Sequence, residues 1–533
     1  MPTDCIPFRD TTYFSSLICD YLEGSRPLET FYNRFPSLEN FKGQIQEKQK
    51  SVNAESRAIL VSSLKAQYKN IKKSELTKQN VESLKLNNTF TVTTGHQLNI
   101  FTGPLYFLYK IISAINLCKE LKSAYPDFNF VPVYWMATED HDFDEINYFN
   151  YSGKKIQWSR EASGAVGELD LKGLDEVFQI FSNQLNQTTN AEVLKAWFRN
   201  AYLQQNNLTE AMRFLVNELF GEYGLVILDG NDKALKQLFI PHMEDELVNQ
   251  TSFKLVSATN TQLENVSSNY KIQVNPREIN LFYLKENLRE RIVERDGIYS
   301  VYGTDFTWNK AEILKELHEF PERFSPNVIL RPLYEEVVLP NLCYIGGGGE
   351  LAYWLQLKSN FESKNVVFPI LLLRNSVVLV NEKQSEKLQK LNLSVKALFL
   401  KQNDLITKVT KQLSEVDIDF TPKKNHLKQQ FEALYKLAEQ TDKSFKGAVA
   451  AQERKQIKGL EHLEKRLLKA QKRKLNDVLE RVIELQNELF PNQSLQERTA
   501  NFSEFYMEYG NQLMTKLMDN LEPLKGEFLI LEI

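Results

Sequence analysis

The chain has 533 residues, of which 42% are hydrophobic, and its formal net charge at pH 7 is -4. A chain of this length exceeds what one hydrophobic core usually contains, so we expect two or more domains. The slightly acidic balance excludes a chain-wide basic surface for nucleic acid. The four cysteines form no Cys-x-x-Cys pair, which is typical of a reducing compartment and argues against a zinc knuckle or a disulfide framework.

No segment of the sequence predicts export or a membrane span. The first ten residues lack a basic region followed by an apolar one, so no signal peptide is predicted. The most apolar late run, residues 366–380, is interrupted by Pro369, Arg374 and Asn375, which leaves it too broken to cross a bilayer. We therefore expect a soluble cytoplasmic protein without a membrane partner.

Residues 1–85 carry apolar side chains at helical spacing among many Lys, Gln and Glu, and they predict helices without evident chemistry. Residues 89–94 are threonine, phenylalanine and valine and predict a short strand. Residues 103–117 then open with Gly-Pro and continue with apolar helical spacing, as expected for a helix that begins with proline. Between strand and helix lies a polar turn, whose candidate binding residues are Thr94, Gly95, His96, Gln97 and Asn99.

Residues 129–136 predict a second buried strand, which runs directly into an acidic segment, residues 138–145. Repulsion among the carboxylates of that segment raises at least one of their pKa values unless a cation or a substrate amine lies there. One interpretation is a solvated loop that caps the next helix. The other is a site that binds an ammonium group or takes its proton, with Asp140, His141 and Asp142 as catalytic candidates. The spacing matches no standard zinc pattern, so no metal site is predicted.

Two insertions are expected in the α/β body, near residues 150–220 and 240–325, on either side of a third strand that ends at Asp229. Acidic residues at strand ends bond sugar hydroxyls in dinucleotide-binding folds, but Asp229 is equally suited to a turn. Residues 326–330 and 339–345 are then expected to return to the sheet, with Arg331 between them.

A run of four glycines follows, with Glu350 and a predicted helix after it. Glycines before a helix suit a phosphate or carboxylate nest, although a close crossing of helix and sheet explains them as well. No Gly-Lys-Ser/Thr follows, so the run is not a P-loop. The candidate nucleotide-binding residues are Gly346, Gly347, Gly348 and Gly349. Residues 368–374 predict a last core strand with Arg374 at its end, suited to clamp a carboxylate.

From residue 381 the composition shifts to Lys, Gln, Glu and Leu, and residues 381–500 predict a helical coiled-coil domain. Apolar residues alternate in steps of three and four along residues 427–448 and again along 475–489. Asp442 and Ser444 suit a turn that makes an antiparallel hairpin, and a single long helix is the alternative. Residues 501–533 are expected to return to the body, so the Rossmann-like domain comprises 1–380.

Five segments together resemble one known family. They are residues 94–97 (TGHQ), 101–106 (FTGPLY), 131–147 (VPVYWMATEDHDFDEIN), 325–334 (SPNVILRPLY) and 346–357 (GGGGELAYWLQL). Their sequence and order are similar to the motifs of the bacillithiol biosynthesis cysteine-adding enzymes, the BshC family. The resemblance covers the whole chain.

The resemblance implies an enzyme that joins cysteine to glucosaminyl-malate through an amide bond, in the last step of bacillithiol synthesis. It implies a Rossmann-like core of the nucleotidylyl-transferase type, insertions similar to connecting peptides of class I synthetases, and a homodimer formed by the coiled coil. It implies that ATP and Mg²⁺ form an acyl-adenylate of cysteine. The chain lacks the Lys-Met-Ser-Lys-Ser loop of the synthetases, so the energy source stays open.

By the same resemblance, His96 contacts a nucleotide or the developing charge of acyl transfer. The acidic segment with His141 holds or deprotonates the glucosamine amine, and Arg331 or Arg374 holds the malate carboxylates. Glu350 and Tyr353 complete the candidate substrate-binding set. Two other classes remain open from the residues: a scaffold that binds a metabolite without turnover, and a metal-dependent hydrolase or deacetylase.

Overall fold

The protein is described here by a computed structural model that covers residues 4–533. Its strands are β1 (Asp4–Pro7), β2 (Thr89–His96), β3 (Asn129–Met136), β4 (Tyr148–Tyr151), β5 (Lys154–Gln157), β6 (Val226–Asp229), β7 (Leu281–Lys285), β8 (Leu288–Arg295), β9 (Ile298–Val301), β10 (Thr307–Asn309), β11 (Phe324–Pro326), β12 (Asn341–Gly346), β13 (Ile370–Leu373), β14 (Val377–Val380) and β15 (Glu527–Glu532). The chain divides into two compact units, one made mainly of residues up to Val378 with Gln496–Leu531, and the other of Leu379–Leu495.

The first unit holds all but six of the α-helices that the structure describes. They are Phe8–Thr11, Ser16–Leu22, Asn40–Ser51, Ala54–Gln67, Glu75–Ser83, Tyr106–Ala124, Phe143–Ile146, Leu174–Ser182, Thr189–Tyr202, Leu208–Phe220, Lys233–Asn249, Thr251–Val266, Lys310–Glu319, Arg331–Val338, Gly348–Trp354, Lys358–Ser363, Gln496–Thr499, Phe502–Tyr509 and Asn511–Asn520.

A five-stranded parallel sheet forms the centre of the first unit, in the order β13-β12-β2-β3-β6. Numbered along the chain, these five strands lie in the order 5-4-1-2-3, which is the Rossmann arrangement and confirms the predicted fold class. The order reverses between β2 and β12. In such sheets the crevice at the carboxyl ends of the strands beside this reversal is where ligands bind.

The central strands are buried along nearly their whole length, as both faces of a parallel sheet require. Every residue of β2 is buried as far as Thr94, and only Gly95 and His96 reach partial exposure. Helix Tyr106–Ala124 packs against β2 and β3, and its apolar side chains join those of the strands in one core cluster. The predicted strand, turn and helix of residues 89–117 are therefore all present.

The second insertion, between β6 and β12, contains an antiparallel sheet in the order β10-β9-β8-β7-β11. The prediction that residues 326–330 return to the main sheet is wrong, because Pro326 ends β11, which pairs with β7. The Asn327 side chain then accepts a hydrogen bond from the Ile329 N–H and turns the chain. Arg331 begins a helix, which Pro332 favours because proline fits the first helical turn.

The second unit is helical, with helices Glu382–Lys390, Val395–Leu398, Gln402–Leu413, Thr421–Ala438, Lys443–Lys474 and Asn476–Leu489. Of the two predicted alternatives for the coiled coil, the structure shows the antiparallel hairpin. Tyr435 bonds Glu453 and Lys424 bonds Glu464, so residues earlier in one helix meet residues later in the next. The Asp442 side chain caps the second helix by accepting from the Phe445 N–H, among others.

The C-terminal segment ends in β15, which pairs antiparallel with β1 at the start of the described chain. Within residues 4–533, every helix is too short or too polar to cross a membrane.

Candidate active site

A cavity of about 650 Å³ opens at the carboxyl ends of β2 and β12, where the strand order reverses. This volume is in the range of small-molecule sites. Its wall combines side chains from the polar turn after β2, the acidic segment after β3, the antiparallel sheet of the second insertion, and helices Arg331–Val338 and Gly348–Trp354. The crevice predicted by the topology of the sheet is therefore present and is lined by charged groups of both signs.

His96 ends β2 and lies in the wall of this cavity. Its ring packs against Tyr106 and Phe107, with ring centroids 5.5 and 5.1 Å away. Burial lowers the pKa of His96 well below its ordinary value, and the positive charges of Lys110 and Arg374 lower it further. Its Nε2 is buried and has no hydrogen-bond partner in the described part of the chain. A neutral imidazole is thus available to a ligand.

Lys110 and Glu350 both line the cavity and form an ion pair of 2.6 Å. The lysine is buried in helix Tyr106–Ala124, and its Nζ also donates to the Gly95 carbonyl at 2.5 Å. Glu350 accepts further bonds from the Tyr344 hydroxyl at 2.7 Å and from the Gly347 N–H at 2.8 Å. The pair therefore joins the end of β2 to the helix that follows β12, across the point where the strand order reverses.

Asp140 is the most enclosed carboxylate of the acidic segment and faces two arginines. Its Oδ1 lies 3.6 Å from Arg289 Nη1, and its Oδ2 accepts a hydrogen bond of 3.3 Å from Gln97. Burial opposes its charge, but Arg331, Arg289 and Gln97 outweigh burial and lower the pKa of Asp140 below its ordinary value. Asp140 is therefore an ionised partner of the arginines.

The other two predicted catalytic residues lie at the mouth of the cavity. The side chain of His141 is 41% exposed and that of Asp142 is 51% exposed, with the imidazole Nε2 3.8 Å from the carboxylate. His141 Nδ1 also contacts Arg289. Beside them, Gln97 donates to Glu145 at 2.8 Å. The predicted residues Asp140, His141 and Asp142 thus lie close together, but the His141 side chain is partly exposed to solvent.

Three predicted substrate-binding residues are not in the cavity wall. Thr94 is buried and donates to the Ile345 carbonyl, which fastens β2 to β12. Asn99 donates to the Glu145 carbonyl. Arg374 is buried and pairs with Glu497 at 2.7 Å. All three bond other parts of the protein, although Asn99 Oδ1 and Arg374 Nε have no hydrogen-bond partner among residues 4–533.

The glycine run predicted to bind a nucleotide also lies outside the cavity wall. Gly347 is the N-cap of helix Gly348–Trp354, and its N–H is bonded to the Glu350 side chain. A Cβ on Gly346 would lie 2.8 Å from Leu351 Cδ1 and 3.0 Å from Tyr344 Cε1, so this glycine allows the strand end and the following helix to pack closely. The run thus serves a close approach of protein segments, and a carboxylate of the same chain occupies the anion position.

The remaining predicted residues lie where expected, and the wall contains others that the sequence did not single out. Gln97, Gly95, Arg331, Glu350 and Tyr353 all line the cavity. The unpredicted charged members are Lys110, Glu145, Arg277, Arg289, Arg291 and Glu335. Lys110 had a visible signal, because it is a single lysine in an otherwise apolar helical run. The arginines of the second insertion had no such signal in the sequence.

Asp229 ends β6, and its side chain bonds the turn that follows and does not line this cavity. Its Oδ1 accepts from Thr138 at 2.5 Å and from the Asn231 N–H at 2.9 Å. Within residues 4–533, no group of three or more His, Cys, Asp or Glu side chains is arranged to hold a metal ion.

The charges in the cavity are arranged to hold a ligand that carries both signs. Arg277, Arg289, Arg291 and Arg331 offer donors for carboxylate or phosphate groups. Asp142 and Glu145 offer acceptors for an ammonium group at the mouth, and the more enclosed Asp140 offers another. The neutral His96 and the buried Glu335 lie deeper, where a hydrogen bond or a proton transfer is least screened by water.

Two family models together match almost the entire chain. A family model described as the N-terminal Rossmann-like domain of bacillithiol biosynthesis BshC matches residues 1–375. A second, described as the C-terminal coiled-coil domain of the same proteins, matches residues 377–533.

Similar proteins carry the name "Putative cysteine ligase BshC". One from Flavobacterium johnsoniae is 59% identical over 533 residues and covers 100% of both chains. One from Christiangramia forsetii is 58% identical and covers 100% of this chain and 99% of its own. One from Cytophaga hutchinsonii is 39% identical and covers 97% and 96%.

Among solved structures, one from Campylobacter jejuni described as a "putative arginyl t-RNA synthetase" covers 84% of this chain and 95% of its own. The identity is 12% and the TM-score is 0.19. The matches of both domains and the full-length identities agree with the motifs. The chain therefore belongs to the bacillithiol biosynthesis BshC family.

Proposed function

We propose that this protein is a ligase that joins the carboxyl group of L-cysteine to the amine of glucosaminyl-malate, in the last step of bacillithiol synthesis. The observation that carries the proposal is the cavity where the strand order reverses, which presents arginines and carboxylates to one bound molecule. Glucosaminyl-malate has two carboxylates and one amine, so it matches both signs. Family membership, with relatives named as cysteine ligases, supports the reaction class.

In this proposal the arginines bind the malate carboxylates. Arg331 and Arg289 both approach Asp140, and each retains donors toward the cavity because a guanidinium carries five N–H groups. Arg374, the alternative expected from the sequence, is already paired with Glu497. We assign the malate carboxylates to Arg331 and Arg289 for that reason.

The ammonium group of the glucosamine enters past the acidic mouth, where Asp142 and Glu145 attract it. His96 lies deeper and contacts the acyl group of cysteine or the group that activates it. Its free Nε2 suits either role, because a neutral imidazole nitrogen donates or accepts according to its tautomer.

Amide formation requires an activated cysteine carboxyl, and we propose ATP with Mg²⁺ as the substrates that supply it. We do not assign the triphosphate to the glycine run, because the run lies outside the cavity wall and its Gly347 N–H already bonds Glu350. The arginines of the second insertion, Arg277 and Arg291, are the groups in the cavity wall that fit phosphate chemistry.

The direct test is incubation of the purified chain with cysteine, glucosaminyl-malate, ATP and Mg²⁺, with the joined thiol detected by mass. Product with release of AMP supports an adenylate, and product with release of ADP supports an acyl phosphate. Product without ATP points to another activated donor. Binding of glucosaminyl-malate without product under any of these conditions contradicts the ligase and supports a non-catalytic scaffold.

The arginine assignment has a matched control on the same strand. Arg289→Met removes a buried guanidinium at the cavity, whereas Arg295→Met removes an exposed one from β8 outside it. Loss of a charged hydrogen bond costs about 1.5–3 kcal/mol, so Arg289→Met is expected to raise KM for glucosaminyl-malate about 10- to 100-fold. KM for cysteine and the behaviour of Arg295→Met should stay as in the wild type. Equal KM values for glucosaminyl-malate in the two variants would contradict the assignment.

A further inference from the structure

Glu335 lines the cavity, but the proposed binding scheme gives its carboxyl group no role. It lies on helix Arg331–Val338, one turn after Arg331, and residues four apart project from the same helix face. Both side chains accordingly line the cavity. Glu335 is only 3% exposed, and we call this enclosed part of the wall the floor of the cavity.

The hydrogen-bonding state of Glu335 differs from that of the other two glutamates nearby. Glu336 is bonded to Lys48 and Asn341, and Glu350 is bonded to Lys110, Tyr344 and Gly347. Glu335 Oε1, by contrast, is buried and has no hydrogen-bond partner among residues 4–533. Buried polar atoms are normally bonded, so an unpartnered oxygen in a cavity floor indicates a place for a ligand donor.

The charged and titratable groups that face Glu335 come from four elements. They are Lys110 on helix Tyr106–Ala124, Tyr344 on β12, Glu350 and Tyr353 on helix Gly348–Trp354, and Arg331 and Glu336 on its own helix. Burial raises the pKa of Glu335 well above its ordinary value, and the Glu336 and Glu350 carboxylates raise it further, against Arg331 and Lys110. A carboxylate at such a position binds a proton more strongly than an exposed one.

We infer that Glu335 is the base that takes the proton from the substrate amine as the amide bond forms, an inference that rests on the proposed ligase function. The bound ammonium group first releases one proton to solvent. The neutral amine nitrogen then attacks the acyl carbon of activated cysteine, and the C–N bond forms. The bond from that carbon to the leaving group breaks, and its electron pair departs with the leaving group. One N–H proton passes to the Glu335 carboxylate, which becomes a neutral carboxyl.

The acidic segment at the mouth is less suited to this step. Asp140 has a lowered pKa because of its two arginines, so it is a weak proton acceptor. His141 and Asp142 are half exposed, where water competes for the same proton. Glu335 combines enclosure, an unpartnered oxygen and a position facing the substrate space. We therefore assign proton removal to Glu335, beside which the reacting amine lies, and to the acidic mouth only the attraction of the ammonium group as it enters.

The test is Glu335→Gln, which keeps the size of the side chain and removes its titration. General base catalysis contributes about 10²- to 10⁴-fold, so kcat is expected to fall at least 100-fold, with KM for glucosaminyl-malate changed less than about threefold. Glu335 must be ionised to act, so the wild-type kcat should fall as the pH drops through the raised pKa of this group. That acidic limb should be absent from the Glu335→Gln profile. Wild-type kcat and pH profile in Glu335→Gln would overturn the inference.

A matched control is Glu504→Gln. Burial raises the pKa of Glu504 to about 7, but this residue does not line the cavity. Its replacement should leave kcat and the acidic limb unchanged. If Glu335→Gln does not fold, Glu335→Asp keeps the carboxyl one methylene further away, and it should retain the acidic limb with a lower kcat. Loss of that limb in Glu335→Asp would also overturn the inference.

A second measurement separates this inference from the ligase proposal. Calorimetric titration with glucosaminyl-malate, in buffers of different ionisation enthalpy, gives the number of protons released on binding. If the wild type forms no product, the ligase proposal fails, but the proton count still tests Glu335. At a pH below the raised pKa of Glu335, where the free carboxyl is protonated, the wild type should release more protons than Glu335→Gln, because a bound ammonium group favours the ionised carboxylate. Equal counts would contradict a proton exchange at Glu335.

Discussion

Lys110 Nζ lies 2.6 Å from Glu350 Oε2, and this contact joins the two halves of the parallel sheet at the point where the strand order reverses. Burial lowers the pKa of Lys110, and the Glu350 carboxylate opposes that change. The pair therefore stabilises a lysine charge that the core alone would disfavour. It also fixes the helix that carries Tyr353 into the cavity.

Removal of both members of this pair should cost less stability than the sum of the two single removals. Lys110→Met leaves Glu350 beside a buried apolar chain, and breaking a buried pair costs about 3 kcal/mol. The double variant Lys110→Met with Glu350→Gln should recover at least about 1 kcal/mol of the summed loss. Urea unfolding of the wild type, both single variants and the double variant measures this coupling. Strict additivity of the free energies of unfolding would contradict it.

His96 and His141 should differ strongly in their contribution to turnover. His96→Ala removes a neutral imidazole from the enclosed wall, and kcat should fall at least about 100-fold. His141→Ala removes a side chain at the mouth that is 41% exposed, and kcat should fall less than about 10-fold. Steady-state kinetics on both variants, with circular dichroism to verify folding, makes the comparison. Wild-type turnover by folded His96→Ala would remove His96 from the catalytic set.

The Arg374–Glu497 pair should be a structural contact and not a substrate clamp. Both side chains are buried, and the second Glu497 oxygen accepts from the Val377 N–H at 3.0 Å. Arg374→Met is expected to lower the free energy of unfolding by about 3–5 kcal/mol. KM for glucosaminyl-malate, measured on the folded fraction at low temperature, should stay within about threefold. A large rise in KM without loss of stability would restore the binding role predicted from the sequence.

His242 should make the protein less stable in mild acid. Burial lowers its pKa to about 4, with the positive charge of Lys364 adding to the effect. The unfolded chain binds a proton at this histidine below about pH 6.5, while the folded chain does not until about pH 4. Between these values its contribution to stability falls by up to about 1.4 kcal/mol per pH unit. The free energy of unfolding, measured with urea from pH 7 to pH 4, should fall less steeply for His242→Gln than for the wild type. Identical slopes would contradict the role given to His242.

We propose that the helical hairpin carries a homodimer interface. Leu437 is 50% exposed and Leu463 is 54% exposed, and such residues on a coiled coil normally face another helix. Light scattering after size exclusion should give twice the chain mass of 62.0 kDa for the wild type. Leu437→Glu combined with Leu463→Glu should give the monomer mass. Leu203→Glu, at an exposed leucine outside the hairpin, serves as the control, and a monomeric wild type would contradict the proposal.

The sequence by itself determined those parts of the protein that depend on neighbouring residues. Alternation and β-branched residues predicted β2, and apolar spacing after Gly103-Pro104 predicted helix Tyr106–Ala124, although that helix begins at Tyr106. Heptad-like spacing predicted the helical unit, because helix periodicity is a local property. The motifs that carry the family resemblance are likewise short, continuous segments.

Only the tertiary structure decided which of the charged residues face the cavity. Arg374 stood at a strand end as expected, but Glu497, which neutralises it, is 123 residues away in sequence. Arg289 reaches Asp140 from a separate antiparallel sheet. Such pairings depend on chain topology, which brings distant segments together and leaves no periodic signal in the sequence.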